Sequence, residues 1–291
     1  MAQSKNNRKP KVYYSRLTED EAAALLSKAK VDEDIYPDTY DILEDEIDPY
    51  DGSLMGDPLN IAMDLMDADP HEIMDKNIFL FVERILSDAV QFDNDFEAGY
   101  YLGNLYFDGH YGNQDYEKAC AAYEKSSENG NPEASVMYAW CLYFGLGTQK
   151  DPAKAFPLIV KQAAALKDPN ANYLLAEMYW DGVCVEKDPA AAFAIDMNLM
   201  REFSGDDPDD QPPLCTAGAL LRIGNYVLNE SYWDLALTCF QKAEFNCYMH
   251  LQRGDHTFET QLRQAQAGID QAEQGMETSI HLRHHSSRKH S

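Results

Sequence analysis

Small and apolar positions recur in phase three times between residues 97 and 203. The copies cover 97–131, 133–168 and 170–203, and their anchor residues Ala98, Ala134 and Ala171 stand 36 and 37 residues apart. In the first copy, Ala98, Leu102, Gly103, Leu105 and Tyr106 take the first, fifth, sixth, eighth and ninth places. That spacing marks one face of a helix. A small residue (Gly103, Ala139, Ala176) sits in the middle of each such face, where it lets a neighbouring helix come close. A glycine follows (Gly109, Gly145, Gly182), as expected where a chain leaves a helix through a left-handed residue. An acidic cap (Asp115, Asp151, Asp188) then opens a second helix, with Ala119, Ala155 and Ala192 four residues on. Proline reinforces several starts: Asn131-Pro132, Asp151-Pro152, Asp168-Pro169 and Asp188-Pro189. Neither helix of a pair can bury its stripe alone, so the pattern predicts helix pairs stacked on one another.

The flanks are read in the same way. Residues 1–58 are expected to hold a basic arm, a short helix and an acidic, largely disordered leader. The helix opens with the capping box Thr18-Glu19-Asp20-Glu21 and runs through Lys30. Residues 59–96 are expected to form N-terminal capping helices. Asp69-Pro70-His71-Glu72 signals one helix from Pro70 to about Gln91, with Ile78, Phe79, Val82, Ile85, Leu86 and Val90 at helical spacing over the first repeat. The three repeats fill 97–203, and an acidic, proline-rich loop follows over 204–216. A degenerate fourth repeat is expected over 217–249. There Ala219, Ile223, Gly224 and Asn225 mirror Ala98, Leu102, Gly103 and Asn104, and Ser231-Tyr232-Trp233-Asp234 is read as a capping box. Residues 250–277 read as a C-terminal capping helix with Phe258, Leu262, Ala265, Ile269 and Ala272 along one side, and 278–291 as a disordered basic tail.

The copies resemble the Sel-one-like repeat, a relative of the tetratricopeptide repeat with a period of about 36 residues. The first copy carries A-G-Y-Y-L-G-N-L-Y-F-D-G and D-Y-E-K-A-C-A-A-Y-E-K-S. The second and third carry G-L-G-T-Q-K-D-P-A-K-A-F and G-V-C-V-E-K-D-P-A-A-A-F. Gly112 falls one place late, Cys184 replaces the second loop glycine of the third copy, and Pro157 lies within a helix of the second. The resemblance implies an all-α fold, a right-handed α-solenoid of stacked antiparallel helix pairs. It also implies an adaptor or scaffold that binds another protein.

Charge changes the picture in one place. The chain of 291 residues carries a net charge of −26, and 31–75 holds sixteen Asp and Glu with no Lys or Arg. Such a stretch is expected to stay solvated, and its alternative role is as a docking segment for a basic partner. A small acidic regulator or inhibitor acting through 31–75 is the second functional reading. Overall acidity argues against nucleic acid, whose phosphates it would repel. No run approaches the ~20 apolar residues of a membrane helix, and the basic start MAQSKNNRKPKVYY has no apolar stretch behind it, so neither a membrane span nor a secretory signal is expected. Cytoplasmic residence with free thiols follows as an expectation, since Cys120, Cys141, Cys184, Cys215, Cys239 and Cys247 form no C-x-x-C pair and do not recur in register.

Candidate chemistry is thin. His281, His284 and His285 have metal-ligand spacing in a polar tail. Asp93, Asp95 and Glu97 resemble the opening of a calcium loop, but Gly99 comes one place late and Asn104 stands where a glutamate is needed, so a helix cap is the better reading. No phosphate-binding glycine loop, zincin helix or nucleophile elbow is present. No cofactor, metal or catalytic residue is therefore assigned, and an enzyme of unknown type is the third reading. In stacked helix pairs the first helices line the inner, concave side. The binding candidates are Asn104, Trp140 and Glu177 on one line, and Phe107, Tyr143 and Trp180 about one turn further on, the last two equally readable as packing under the interhelix loops. Aromatic anchors beside polar groups suit a peptide or protein partner.

Overall fold

Side-chain oxygens and prolines start most of the helices, and left-handed residues end several. The computed structural model describes residues 16–34, 36–68, 74–108, 114–166, 168–202, 215–252 and 256–287. Among them it contains thirteen α-helices and no strand, only an isolated antiparallel bridge between Ile47 and Leu54. The fold is an all-α solenoid.

The N-terminal layer has four helices: α1 (Glu19–Leu26), α2 (Pro37–Glu46), α3 (Pro58–Asp67) and α4 (Lys76–Asp88). Thr18 and Glu21 form the reciprocal capping box expected of them, although α1 ends at Leu26 and does not reach Lys30. The stretch expected to be an extended leader differs from its reading. Proline at the first position of α2 starts a helix there, and Ile42, Leu43, Ile47 and Leu54 pack against the core while Asp41, Glu44, Asp45 and Asp51 stay exposed. Asp57 caps α3 by accepting from Leu59 and Asn60, and Ile61, Ala62, Leu65 and Met66 form its buried face. The helix expected from Pro70 begins instead at Lys76, capped by Asp75, whose carboxylate accepts from Asn77 and Ile78. Residues 69–73, which carry the expected signature, lie outside the described residues. As expected, α4 covers the first repeat, burying Ile78, Phe81, Val82 and Leu86. Leu17 N donates to the buried Asp88 carboxylate at 2.6 Å, tying the start of α1 to the end of α4.

Four helix pairs follow: α5 (Phe96–Phe107) with α6 (Tyr116–Glu128), α7 (Pro132–Phe144) with α8 (Pro152–Leu166), α9 (Pro169–Asp181) with α10 (Pro189–Glu202), and α11 (Thr216–Asn229) with α12 (Trp233–Gln252). Each helix packs on the next in the chain. Asp95 caps α5 by accepting from Glu97 and Ala98, the cap that its sequence suggests. The first three loops share one hydrogen bond in register. The amides of Asp115, Asp151 and Asp188 donate to the carbonyls of Tyr106, Leu142 and Tyr179 at 2.7–2.8 Å. Each Asp then turns its carboxylate onto the amides of its own helix's first turn. Gly145 and Gly182 close α7 and α9 in the left-handed conformation, whereas Gly109 lies outside the described residues. Pro157 is absorbed within α8.

Close approach at the repeat glycine is real in the first and fourth pairs. A Cβ on Gly103 would run into the Tyr123 ring, and one on Gly224 would sit 2.6 Å from Phe240. The fourth pair thus packs as a repeat, but Ser231 does not cap α12. It holds a left-handed φ of 64° after α11, and α12 starts at Trp233. The expected acidic loop lies mostly outside the described residues. After a 3-10 turn at His256–Phe258, the last helix α13 (Glu259–Ser287) packs on α12. Its expected side is the buried one: Phe258, Ala265 and Ala272 are inside, with Leu262 and Ile269 partly covered. Gly268 also abuts the Phe240 ring, where a Cβ would again fall 2.6 Å away, so glycines of two helices make room for one ring. The tail expected to be disordered from 278 continues as helix through Ser287.

Candidate protein-binding groove

The start of α13 does not merely stack on the last pair. It faces the first helices of the pairs across a cleft with two joined chambers. One, of about 280 Å³, has Phe107, Tyr116, Trp140, Phe144 and Leu146 on one side and Phe258 on the other. The second, of about 600 Å³, has Glu177, Trp180 and Asp181 of α9 and Arg222 and Asn225 of α11 opposite Gln264 and Gln271 of α13. Phe144, Thr257 and Gln261 line both, so the two are continuous.

Four of the six sequence-predicted residues come together here: Phe107, Trp140, Glu177 and Trp180. Their roles differ from the expected ladder of free side chains. Phe107 and Trp140 are buried, and they make the floor of the apolar chamber. Trp140 stacks on Tyr173 with centroids 5.3 Å apart and planes 27° from parallel. Trp180 is half-buried at the polar chamber. The other two candidates are elsewhere. Asn104 accepts from the Tyr123 hydroxyl at 2.7 Å, a bond that joins α5 to α6. Tyr143 is buried under its interhelix loop, with the Lys150 ammonium 5.4 Å from its ring centre. Burial, followed by the charge of Asp181, pushes its phenol up to about 12.

A buried ionic unit that the sequence reading missed holds the floor in place. Arg222 reaches from α11 to clamp Asp196 of α10, Nε to Oδ2 at 2.8 Å and Nη2 to Oδ1 at 2.7 Å. It also pairs with Glu177 and lies 4.2 Å from the centre of the Tyr173 ring. Asp196 is wholly buried and Arg222 nearly so. The signal was available: a lone arginine between Leu221 and Ile223 in an apolar helix needs a buried partner. Gly218 lets the Tyr173 hydroxyl pass against the backbone of α11, where a Cβ would collide with it. Trp140, Tyr173 and Arg222 thus form one stack across α7, α9 and α11.

Among the described residues, none in the cleft pair a nucleophile with a base, and no group of His, Cys, Asp and Glu is placed to hold a metal ion. No helix of the described residues is long and apolar enough to cross a membrane.

Comparison with known proteins agrees with the repeat phase. Residues 97–131, 132–156 and 169–194 match the Sel1 repeat family. No curated protein matches the chain. Among solved structures it is similar to a Sel1 repeat protein from Oxalobacter formigenes, at 20% identity and a TM-score of 0.39 over 66% of this chain and 78% of that one. It is also similar to a protective antigen of uropathogenic Escherichia coli strains displaying an SLR fold, at 21% identity and a TM-score of 0.44. That alignment covers 74% of this chain and 44% of the antigen.

Proposed function

We propose that this chain, a solenoid carrying three Sel1 repeats, is an interaction scaffold that takes a peptide segment of another protein in the cleft between its inner helices and α13. Sel1 repeats generally serve as protein-interaction scaffolds and typically do no catalysis. The observation that carries the finer reading is the cleft itself. It combines an aromatic floor with half-open aromatic side chains, Phe144 and Trp180, beside charged and amide groups. Such a combination suits a chain segment with apolar side chains and polar backbone. The net charge of −26 favours a basic partner and disfavours nucleic acid. A cytoplasmic setting belongs to the same proposal.

Capture from extract of the native cell followed by mass spectrometry tests it, run in parallel with Trp180→Ala and with a chain whose exposed carboxylates Asp32, Glu33, Asp34, Asp41, Glu44 and Asp45 are changed to the amides. Partners lost with Trp180→Ala and kept by the amide variant support the cleft. Partners kept by Trp180→Ala and lost by the amide variant would transfer the function to the acidic N-terminal segment.

A further inference from the structure

We propose that the polar chamber of the cleft reads a guanidinium, the side chain of an arginine in the bound segment. The inference rests on the cleft being a peptide site and specifies the chemistry that this site selects.

Three observations carry it. The first is an unbalanced carboxylate. Glu177, Asp181 and Arg222 are the charged groups of this chamber among the described residues. Arg222 is committed: Asp196 beneath it takes two of its hydrogen bonds, and Glu177 takes a third. Asp181 is exposed and has neither an ion pair nor a hydrogen bond from another described residue. It is also the last residue of α9, at the negative end of the helix dipole, which adds attraction for a cation. The second is Trp180. Its indole lines the same chamber, half-buried, with no other aromatic ring or cation of the described residues against it. A flat cation over an indole face is favourable, and a guanidinium can stack there while its edge donates to a carboxylate. The third is Gln261 on the opposite wall. Its Oε1 is buried and without a hydrogen-bond partner. One wall thus offers a carboxylate with no described partner, and the other an amide whose buried acceptor a turn of its side chain would present, which together suit a ligand with several donors directed outward in a plane. Arginine carries five N–H donors and no acceptor.

The alternatives fit less well. A carboxylate ligand would meet Asp181 and Glu177 and find Arg222 already occupied. An apolar side chain would leave the Gln261 acceptor orphaned and would gain more from the neighbouring chamber floored by Trp140 and Phe107. An ammonium would satisfy the charge of Asp181 but would use the indole face less well than a planar cation. The bound segment therefore places an apolar side chain in the smaller chamber and an arginine in the larger one.

The test is selection of a phage-displayed random heptapeptide library on the full chain, followed by anisotropy titration of the selected sequences as labelled synthetic peptides. The expected result is enrichment of peptides pairing an apolar residue with arginine. Replacing that arginine by glutamine is expected to weaken binding to the parent protein by about tenfold or more, and binding to Asp181→Asn by no more than about twofold. Asp181 is exposed, so this variant is expected to fold, and an unchanged melting curve checks that it does. Binders without a cation, or an arginine whose loss matters equally in the parent and in Asp181→Asn, would overturn the guanidinium assignment and leave the peptide site standing. Failure to enrich any peptide that Trp180→Ala then loses would overturn both.

Discussion

The indole of Trp140 lies stacked on the ring of Tyr173, one helix pair further along the solenoid, at a centroid distance of 5.3 Å. That contact makes the residue a joint between repeats. With only 9% of its surface exposed, Trp140 is floor material that leaves a partner little to touch. Trp140→Ala is therefore expected to cost about 3–5 kcal/mol of stability, as large aromatic truncations in cores do. Trp140→Phe should retain much of it. Chemical denaturation of the two variants measures this, and an Ala variant as stable as the parent would place the indole outside the core.

The Phe240 ring lies against both Gly224 and Gly268, so the fourth pair and α13 meet at one ring. Adding a methyl at Gly224 must push that ring or the helix. Although alanine is the better helix former, Gly224→Ala is expected to lower stability by about 1–3 kcal/mol. In a Phe240→Leu background the same substitution should be close to neutral, because the obstructing ring is gone. Thermal melts of the two single variants and the double variant form the cycle. Additive losses would show that the glycine is not there for the ring.

How far the fold was legible follows from where its signals are local. Asp115, Asp151 and Asp188 could be read as caps because a cap depends on a few adjacent residues, and the repeat phase then fixed which helices pair. The same local rule failed at Ser231, where a serine before Trp233 looks like a cap but instead finishes the preceding helix in the left-handed region. The acidic charge of 31–58 suggested an unfolded leader, yet Ile42, Leu43 and Leu54 are few enough to hide in composition and sufficient to dock α2. The cleft was half legible. Periodicity put Phe107, Trp140, Glu177 and Trp180 on the inner face, but its other wall comes from Thr257, Gln261 and Gln264, far along the chain. Periodicity within one helix pair carries no information about a wall supplied from far along the chain. Trp140 itself was misread because its counterparts in the other repeats are polar. The stack with Tyr173, which buries it, exists at only one joint.

Cys184 shows what a departure from the repeat costs. It stands where the preceding repeat has Gly147, and it keeps the same left-handed backbone, φ 60° against 65°. A side chain there is strained, at roughly 1–2 kcal/mol for a left-handed residue with a Cβ. Cys184→Gly is expected to raise stability by about 0.5–1 kcal/mol, since glycine's greater freedom when unfolded returns part of the gain. Cys184→Ala, which keeps the Cβ, should leave stability unchanged. Equal melting temperatures for the Gly and Ala variants would rule out backbone strain at this loop.

Asp196 and Arg222 make the sharpest test, because neither tolerates the loss of the other. The carboxylate is completely buried, and burial on its own pushes it from the ordinary 3.8 up to about 9. The bidentate guanidinium is what opposes that push. Arg222→Met leaves the carboxyl buried without its cation, and the expected loss at neutral pH is about 3–5 kcal/mol. The pH dependence gives the cause. In this variant the carboxyl binds its proton more tightly folded than unfolded, so its contribution is fully present below the unfolded value of 3.8 and is lost as pH rises toward the raised folded value. Urea denaturation of Arg222→Met should therefore show stability falling steadily between about pH 5 and 8, a slope that the intact pair does not impose on the parent. Arg222→Met combined with Asp196→Leu removes the carboxyl as well, so it should recover most of the loss and abolish that extra slope. Were the single variant to lose stability with the parent's pH profile, the damage would lie in lost packing against Tyr173, and the ion pair would not be what holds α10 to α11.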